Sequence, residues 1–188
     1  MKRLFSIVLA LAIAVTGSAQ DGRKYEIRSG IAKMVTEAMG QKMESTVYFD
    51  NYGALEADRV NANGMEISTI NKEGKTYVVN HTMKNVRSAP GQNEINFLNL
   101  TEEIIKQYKI GMIGFEKIGE WNCQKYTYEI DSMGQTLTCT AWVWKGIAVK
   151  NVAQSGGMEI ILTMTELQEN AKVDPAVFEV PTFLLTEP

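Results

Sequence analysis

The sequence predicts a mainly β domain, built as a single curved antiparallel sheet with one lid helix. Turn signals recur every eight to fifteen residues, and the runs between them have the apolar–polar alternation of strands. Residues 98–110 are the one stretch with convincing helical apolar spacing. We therefore expect about ten strands in two consecutive groups, with the helix between the groups.

The first group of strands is predicted as an antiparallel meander. Glycine closes the turns Asn51–Gly53, Asn61–Gly64 and Asn71–Gly74, and such turns favour hairpins. The polar stretch Thr82–Asn93, which contains Pro90 and Gly91, is predicted as a loop. The strand-like runs of this group are Tyr25–Thr36, Lys42–Asp50, Ala54–Val60, Met65–Ile70 and Lys75–Asn80.

The helix is predicted from Leu98 to Ile110. Asn99 can cap its first turn, with Glu102 three residues later as the capping-box partner. Because a second helix of comparable strength is not predicted, its apolar stripe should pack against the sheet. The stripe consists of Leu100, Ile104, Ile105 and Tyr108.

The second group of strands is apolar on both faces. The runs Cys139–Trp144 and Met158–Met164 do not alternate as strands with one solvated face do. Their second face should therefore be covered by protein, by a partner or by an apolar ligand. The strand-like runs of this group are Met112–Ile118, Trp121–Ile130, Gln135–Trp144, Ile147–Ala153 and Met158–Leu167.

The N-terminus has the pattern of a cleavable signal peptide. Lys2 and Arg3 precede the apolar run Leu4–Val15, and small residues follow at 16–19. The run is shorter than the roughly 20 residues that span a bilayer, so no transmembrane segment is expected. We predict that residues 1–19 are removed and that residues 20–188 form one domain in the periplasm.

The charge of the mature chain argues against nucleic acid as a partner. Without the signal peptide, 17 basic residues stand against 22 acidic ones. Nucleic-acid binding needs a basic face, and adhesion to anionic lipid needs a polybasic patch. The sequence predicts neither.

Cys123 and Cys139 are the two cysteines of the chain. In an oxidising compartment, an even pair is a disulfide candidate. The turn cluster Asp131–Gly134 lies between them, and a simple hairpin register places the two residues nearly opposite each other. A disulfide is therefore expected, with two buried free thiols as the alternative.

The sequence lacks the components of the common catalytic centres. His81 is the only histidine, and no nucleophile elbow, phosphate-binding loop or zinc-protease motif is present. We expect a protein that is not an enzyme and that uses no metal or cofactor. The methionines and the aromatic residues of the Trp121–Trp144 hairpin fit either ordinary core packing or an apolar ligand pocket.

Three runs in the C-terminal part resemble the LolA/LolB-like superfamily of envelope lipoprotein carriers. They are Gly119–Tyr126, Trp142–Lys150 and Asn170–Pro181, of which the last, with its Val-Asp-Pro motif, is the most specific. The resemblance covers roughly residues 112–181 and implies an unclosed β half-barrel with a helical lid. In better-known members, the apolar concavity holds acyl chains.

Residues and resemblance together predict a non-enzymatic periplasmic protein that binds a hydrophobic or acylated ligand, lipid or lipoprotein, in the concave face of its sheet. The alternative is an interaction or sensor module of the envelope, whose sheet face is covered by a protein partner. Asp174 and Pro175 should form a short capped turn that docks Phe178 into the sheet. The predicted apolar lining consists of Phe97, Ile104, Tyr108, Trp142, Trp144, Ile160 and Leu162.

Overall fold

The computed structural model describes residues 23–90, 95–132 and 134–182. The predicted signal peptide, residues 1–19, lies outside these ranges. No helix in them is long and apolar enough to cross a membrane. The strands are β1 (Gly30–Ala38), β2 (Gln41–Asp50), β3 (Leu55–Ala62), β4 (Met65–Lys72), β5 (Lys75–Asn80), β6 (Asn85–Pro90), β7 (Gly111–Ile118), β8 (Trp121–Ser132), β9 (Gln135–Trp144), β10 (Ile147–Ser155) and β11 (Met158–Glu169); the α-helix is α1 (Glu102–Tyr108), and 3₁₀ turns lie at Asn51–Gly53 and Pro175–Phe178.

All eleven strands form one antiparallel sheet, in the order β6-β5-β4-β3-β2-β1-β11-β10-β9-β8-β7. Each half of the chain is a meander, and pairing of β1 with β11 joins the halves at the centre. The edge strands β6 and β7 do not pair with each other, so the sheet stays an unclosed half-barrel. The predicted fold class is therefore confirmed.

Tight turns with glycine set the register of the meanders. In four of them, a residue with positive φ precedes a glycine that also has positive φ, and a fifth is a glycine pair. This is the type I′ geometry, whose twist matches that of the paired strands. The turns are Met39–Gly40, Asn63–Gly64, Glu73–Gly74, Lys145–Gly146 and Gly156–Gly157.

The chain between β6 and β7 must cross the sheet, because these strands lie at opposite edges. Its described part, Ile95–Ile110, packs on one face of β8 and β9, and we call this segment the lid. The face beneath it, which carries Tyr126, Tyr128 and Ala141, is called the lid face. The lid thus lies over the C-terminal half of the sheet, and the predicted packing of the helix against the sheet is confirmed.

The C-terminal segment covers the opposite face of the N-terminal half. Val173, Val177 and Phe178 are buried against Ala57 on β3 and Ile70 on β4. The Asp174 carboxylate accepts a hydrogen bond from the Ala176 N–H at 3.0 Å, and Pro175 is the first residue of the 3₁₀ turn. The predicted capped turn and the docking of Phe178 are confirmed.

Two local predictions are corrected. The helix begins at Glu102, because the Thr101 hydroxyl, and not Asn99, accepts the capping hydrogen bond from the Ile104 N–H at 3.3 Å. The polar stretch Thr82–Asn93 contains strand β6, which pairs with β5 from Asn85 to Pro90. A polar sequence is tolerated there because an edge strand is only partly buried.

The predicted disulfide is wrong, since Cys123 and Cys139 are both free and buried. The two cysteines would lie opposite each other only in a hairpin centred on Asp131, whereas Ser132 pairs with Gln135 and Cys139 pairs with Tyr128. Continuing this register places Cys123 opposite Trp144, five positions from Cys139. That separation is about 16 Å along the strands, whereas a disulfide needs Cα atoms within roughly 7 Å.

Candidate functional site

The sheet beneath the lid has a floor of small side chains. Ala38, Ala141 and Ala153 are all buried, on β1, β9 and β10, and Cys139 lies beside Ala153 in the register. Ile160 pairs with both Ala38 and Ala153 and continues this floor onto β11. Short side chains on neighbouring strands leave room above the sheet, which larger residues must fill. Here the lid fills that room.

The lid packs on this floor with aromatic and branched side chains. The Phe97 ring lies 5.1 Å from the Tyr126 ring and 6.1 Å from the Tyr128 ring. Ile104 and Tyr108 of α1 pack on the same cluster, yet no residue of α1 is fully buried. Displacing α1 would therefore remove less apolar contact than displacing a strand would.

The floor is uncharged at neutral pH. Burial raises the pKa of the Cys139 thiol to about 11, although its interaction with Tyr128 opposes the shift. Burial also raises the pKa of the Tyr126 and Tyr128 hydroxyls above their ordinary value. A thiol held neutral in this way is a poor nucleophile, since the thiolate is the reactive species. The arrangement suits binding of a neutral apolar group.

The N-terminal segment Arg23–Arg28 closes one end of the lid face, and we call it the strap. The Glu26 N–H donates to the Lys145 carbonyl at 3.1 Å, and the Lys24 N–H donates to the Tyr52 carbonyl at 3.0 Å. The Lys24 ammonium and the Tyr25 hydroxyl both bind the buried carboxylate of Glu56. The strap therefore bridges the turns after β2 and β9, on opposite sides of the sheet centre.

Gly146 is the point where strap, lid and sheet meet, and we expect Gly146→Ala to destabilise the fold. A Cβ there would lie 2.4 Å from the Lys24 carbonyl oxygen and 2.8 Å from Leu98 Cγ. Gly157 has the same φ of +83° but nothing within 4 Å, so it is a matched control for backbone strain. Gly157→Ala should cost about 1 kcal/mol and Gly146→Ala a further ~1 to 3 kcal/mol, measured by urea unfolding. Equal losses would contradict this role of Gly146.

The structure brings together four of the seven predicted lining residues. Phe97, Ile104, Tyr108 and Ile160 belong to the cluster beneath the lid. Leu162 pairs with Asn151 in the register but packs on a separate cluster, around Met34 and Met164. The remaining two, both tryptophans, lie on the opposite face of β9, because Trp142 pairs with Lys125 while its neighbour Ala141 pairs with Tyr126. Their contribution to a pocket under the lid is therefore not supported.

Trp142 and Trp144 are instead held by charged neighbours. The ammonium groups of Lys125 and Lys150 lie 4.7 and 5.0 Å from the centre of the Trp142 ring. The Trp142 indole N–H donates to Glu116 at 2.9 Å, and Lys145 lies 4.3 Å from the Trp144 ring. Hydrogen bonds from Lys125 and then Trp142 hold the pKa of Glu116 below its ordinary value.

Two polar residues on the lid face are not among the site residues that the sequence predicts. Asn151 on β10 is 5% exposed, and Asp58 on β3 has a buried Oδ1 without a hydrogen-bond partner. Each interrupts a strand-like run at a position that faces the lid side in the register. Such a polar residue can be recognised as facing the lid side only after the pairing register of its strand is known. In the described part of the chain, no three His, Cys, Asp or Glu side chains are grouped to hold a metal ion.

Comparisons with known proteins identify the fold. No family and no curated protein matches the sequence. The structure is similar to that of an uncharacterized conserved protein from Thermus thermophilus, with 12% identity, a TM-score of 0.62, and coverage of 97% of this chain and 99% of that chain.

Two structures of MucB with MucA are also similar. The match to MucB in complex with MucA(peri) has 11% identity, a TM-score of 0.55, and coverage of 85% of this chain but 55% of that chain. The match to the Pseudomonas aeruginosa MucA/MucB complex has 11% identity, a TM-score of 0.54, and coverage of 85% and 57%. This chain thus spans a little more than half of that protein. Together with the sheet order and the lid, these likenesses give this chain a LolA/LolB-like fold.

Proposed function

We propose that this is a non-enzymatic periplasmic protein that shelters an apolar or acylated ligand between its lid and its lid face. The observation that carries the proposal is the floor of Ala38, Ala141 and Ala153 beneath a helix without a fully buried residue. A displaced α1 would leave an apolar depression lined by Tyr126 and Tyr128. The predicted signal peptide and the LolA/LolB-like fold support a place in the envelope.

The energetics of such a site favour an acyl chain. Each methylene group moved from water into the floor contributes about 0.8 kcal/mol. Displacing α1 exposes only half-buried side chains, of which Ile104 and Tyr108 are the largest in contact with the floor. A chain of about ten methylenes would contribute roughly 8 kcal/mol, enough to offset the loss of these lid contacts.

Native mass spectrometry tests the proposal on full-length protein exported to a bacterial periplasm and purified without detergent. We expect a bound species at defined stoichiometry, which organic extraction and lipid analysis would identify as acylated. A clean apo mass that stays unchanged after incubation with lipids and acylated peptides would sink the proposal.

A pair of neighbouring isoleucines on α1 tests whether the lid contacts the ligand. Ile104 packs on the floor, whereas Ile105 is 39% exposed. Ile104→Gln should weaken binding of the neutral probe N-phenyl-1-naphthylamine by about tenfold, because an amide buried without a partner is unfavourable. Ile105→Gln should bind like the wild type in the same fluorescence titration. Equal effects of the two substitutions would mean that the probe binds elsewhere.

The edge strand β7 favours a second candidate function, the binding of an extended protein segment. Met112, Ile113 and Phe115 are 50%, 55% and 75% exposed on this unpaired edge. The other edge, β6, carries exposed Arg87 and ends in Pro90, features that discourage strand addition. MucB, whose fold is similar, is known in complex with MucA(peri).

Site-specific photo-crosslinking in the periplasm separates this candidate from the first. A crosslinker at position 115 should capture a protein, whereas the same group at position 87 on β6 should not. Equal capture at the two edges, or at neither, would remove the second candidate.

A further inference from the structure

Asn151 is a buried polar residue in the otherwise apolar floor. It lies on β10 between Ala141 on β9 and Leu162 on β11, and it is 5% exposed. Its Nδ2 donates to the Tyr128 hydroxyl oxygen at 2.6 Å. Its Oδ1 is buried and has no hydrogen-bond partner among the described residues.

No neighbouring group in the described part of the chain donates a hydrogen bond to Oδ1. The Tyr128 hydroxyl oxygen accepts the Asn151 amide N–H, and Tyr128 also interacts with the neighbouring Cys139 thiol. In this arrangement Tyr128 is engaged by the Asn151 Nδ2 and by Cys139, and Oδ1 is left as a free acceptor. Buried acceptors in native proteins are nearly always paired, so a free one indicates a partner from outside the chain.

We propose that the ligand beneath the lid carries a neutral hydrogen-bond donor, a hydroxyl or amide N–H on an apolar chain, that binds Asn151 Oδ1. This inference rests on the proposed function and adds the chemical class of the ligand. The Tyr128 ring contacts Phe97 of the lid, so a group that reaches Asn151 lies under the lid. An acceptor in an uncharged floor disfavours a carboxylate, which has no proton to donate at neutral pH. The site therefore selects fatty alcohols or fatty amides over fatty acids.

The test compares 1-hexadecanol with its methyl ether, which keeps the chain and the oxygen but lacks the donor. Each competes with N-phenyl-1-naphthylamine for the full chain after removal of the signal peptide. We expect the alcohol to bind about tenfold more tightly than the ether, and more tightly than palmitate. Asn151→Leu should bind the alcohol and the ether equally.

The outcomes separate the inference from the function on which it rests. Equal binding of alcohol and ether by the wild type overturns the inference, because water or the protein then satisfies Oδ1, and it leaves the proposed function intact. Binding of neither compound overturns both. The comparison of two ligands on the wild-type protein needs no variant, so it stands even where Asn151→Leu fails to fold.

Discussion

Replacing Phe178 with alanine is expected to lower the free energy of unfolding by about 3 to 5 kcal/mol, as large-to-small substitutions in cores do. Phe178 is 4% exposed and packs with Val79 and Val86 on the face opposite the lid. Phe178 also holds the C-terminal segment on the sheet. The 3₁₀ turn that ends at Phe178 contributes one further buried side chain, Val177. Removing the ring would therefore leave a cavity and release the segment that covers β3 to β6.

Phe115 provides the matched control, since it is the same residue type at 75% exposure on β7. Phe115→Ala should change stability by less than about 0.5 kcal/mol. Urea unfolding followed by tryptophan fluorescence measures the stability of the Phe178→Ala and Phe115→Ala variants. All three tryptophans lie outside the cluster that contains Phe178, so their fluorescence is suitable for following unfolding. Similar midpoints for the two variants would mean that the C-terminal segment does not stabilise the sheet.

The features predicted correctly are those encoded by neighbouring residues. Pairs such as Asn63–Gly64 specify a turn locally, so the meander could be deduced from spacing alone. The turn at Asp174 and the docking of Phe178 likewise depend on a short motif. The stripe of Ile104 and Tyr108 placed the helix on the sheet, although its predicted start at Leu98 was four residues too early.

The features that could not be predicted depend on register. A shift of five positions separates Cys123 from Cys139, and a one-position difference places Trp142 on the face opposite Ala141. The bulge in β10 between Ala148 and Lys150 changes which residues face the lid. For the same reason the importance of Asn151 was not apparent, because its position on the floor depends on pairing with two other strands.

The second large effect concerns Asp58 and the pH dependence of stability. Burial raises the pKa of this carboxyl from 3.8 to about 6, with an opposing hydrogen bond from Ser45 and a smaller contribution from the Glu56 charge. Between about pH 4 and pH 6 the folded protein keeps a proton that the unfolded chain has released. The free energy of unfolding should therefore fall as pH rises through this window, by about 3 kcal/mol in total, and stay lower above it.

Asp58→Asn should remove this dependence, because the amide fits the same site and is not ionised. At about pH 7.5 the variant is expected to be more stable than the wild type by roughly 2 to 3 kcal/mol, and near pH 4 the two should be alike. The exposed Asp131 serves as control, and Asp131→Asn should leave the pH dependence unchanged. Urea unfolding at both pH values measures the difference. The opposite result would be a wild type that gains stability from about pH 4 to about pH 6. It would show that Oδ1 of Asp58 is paired in solution, which contradicts the unpaired, buried Oδ1 of the structure.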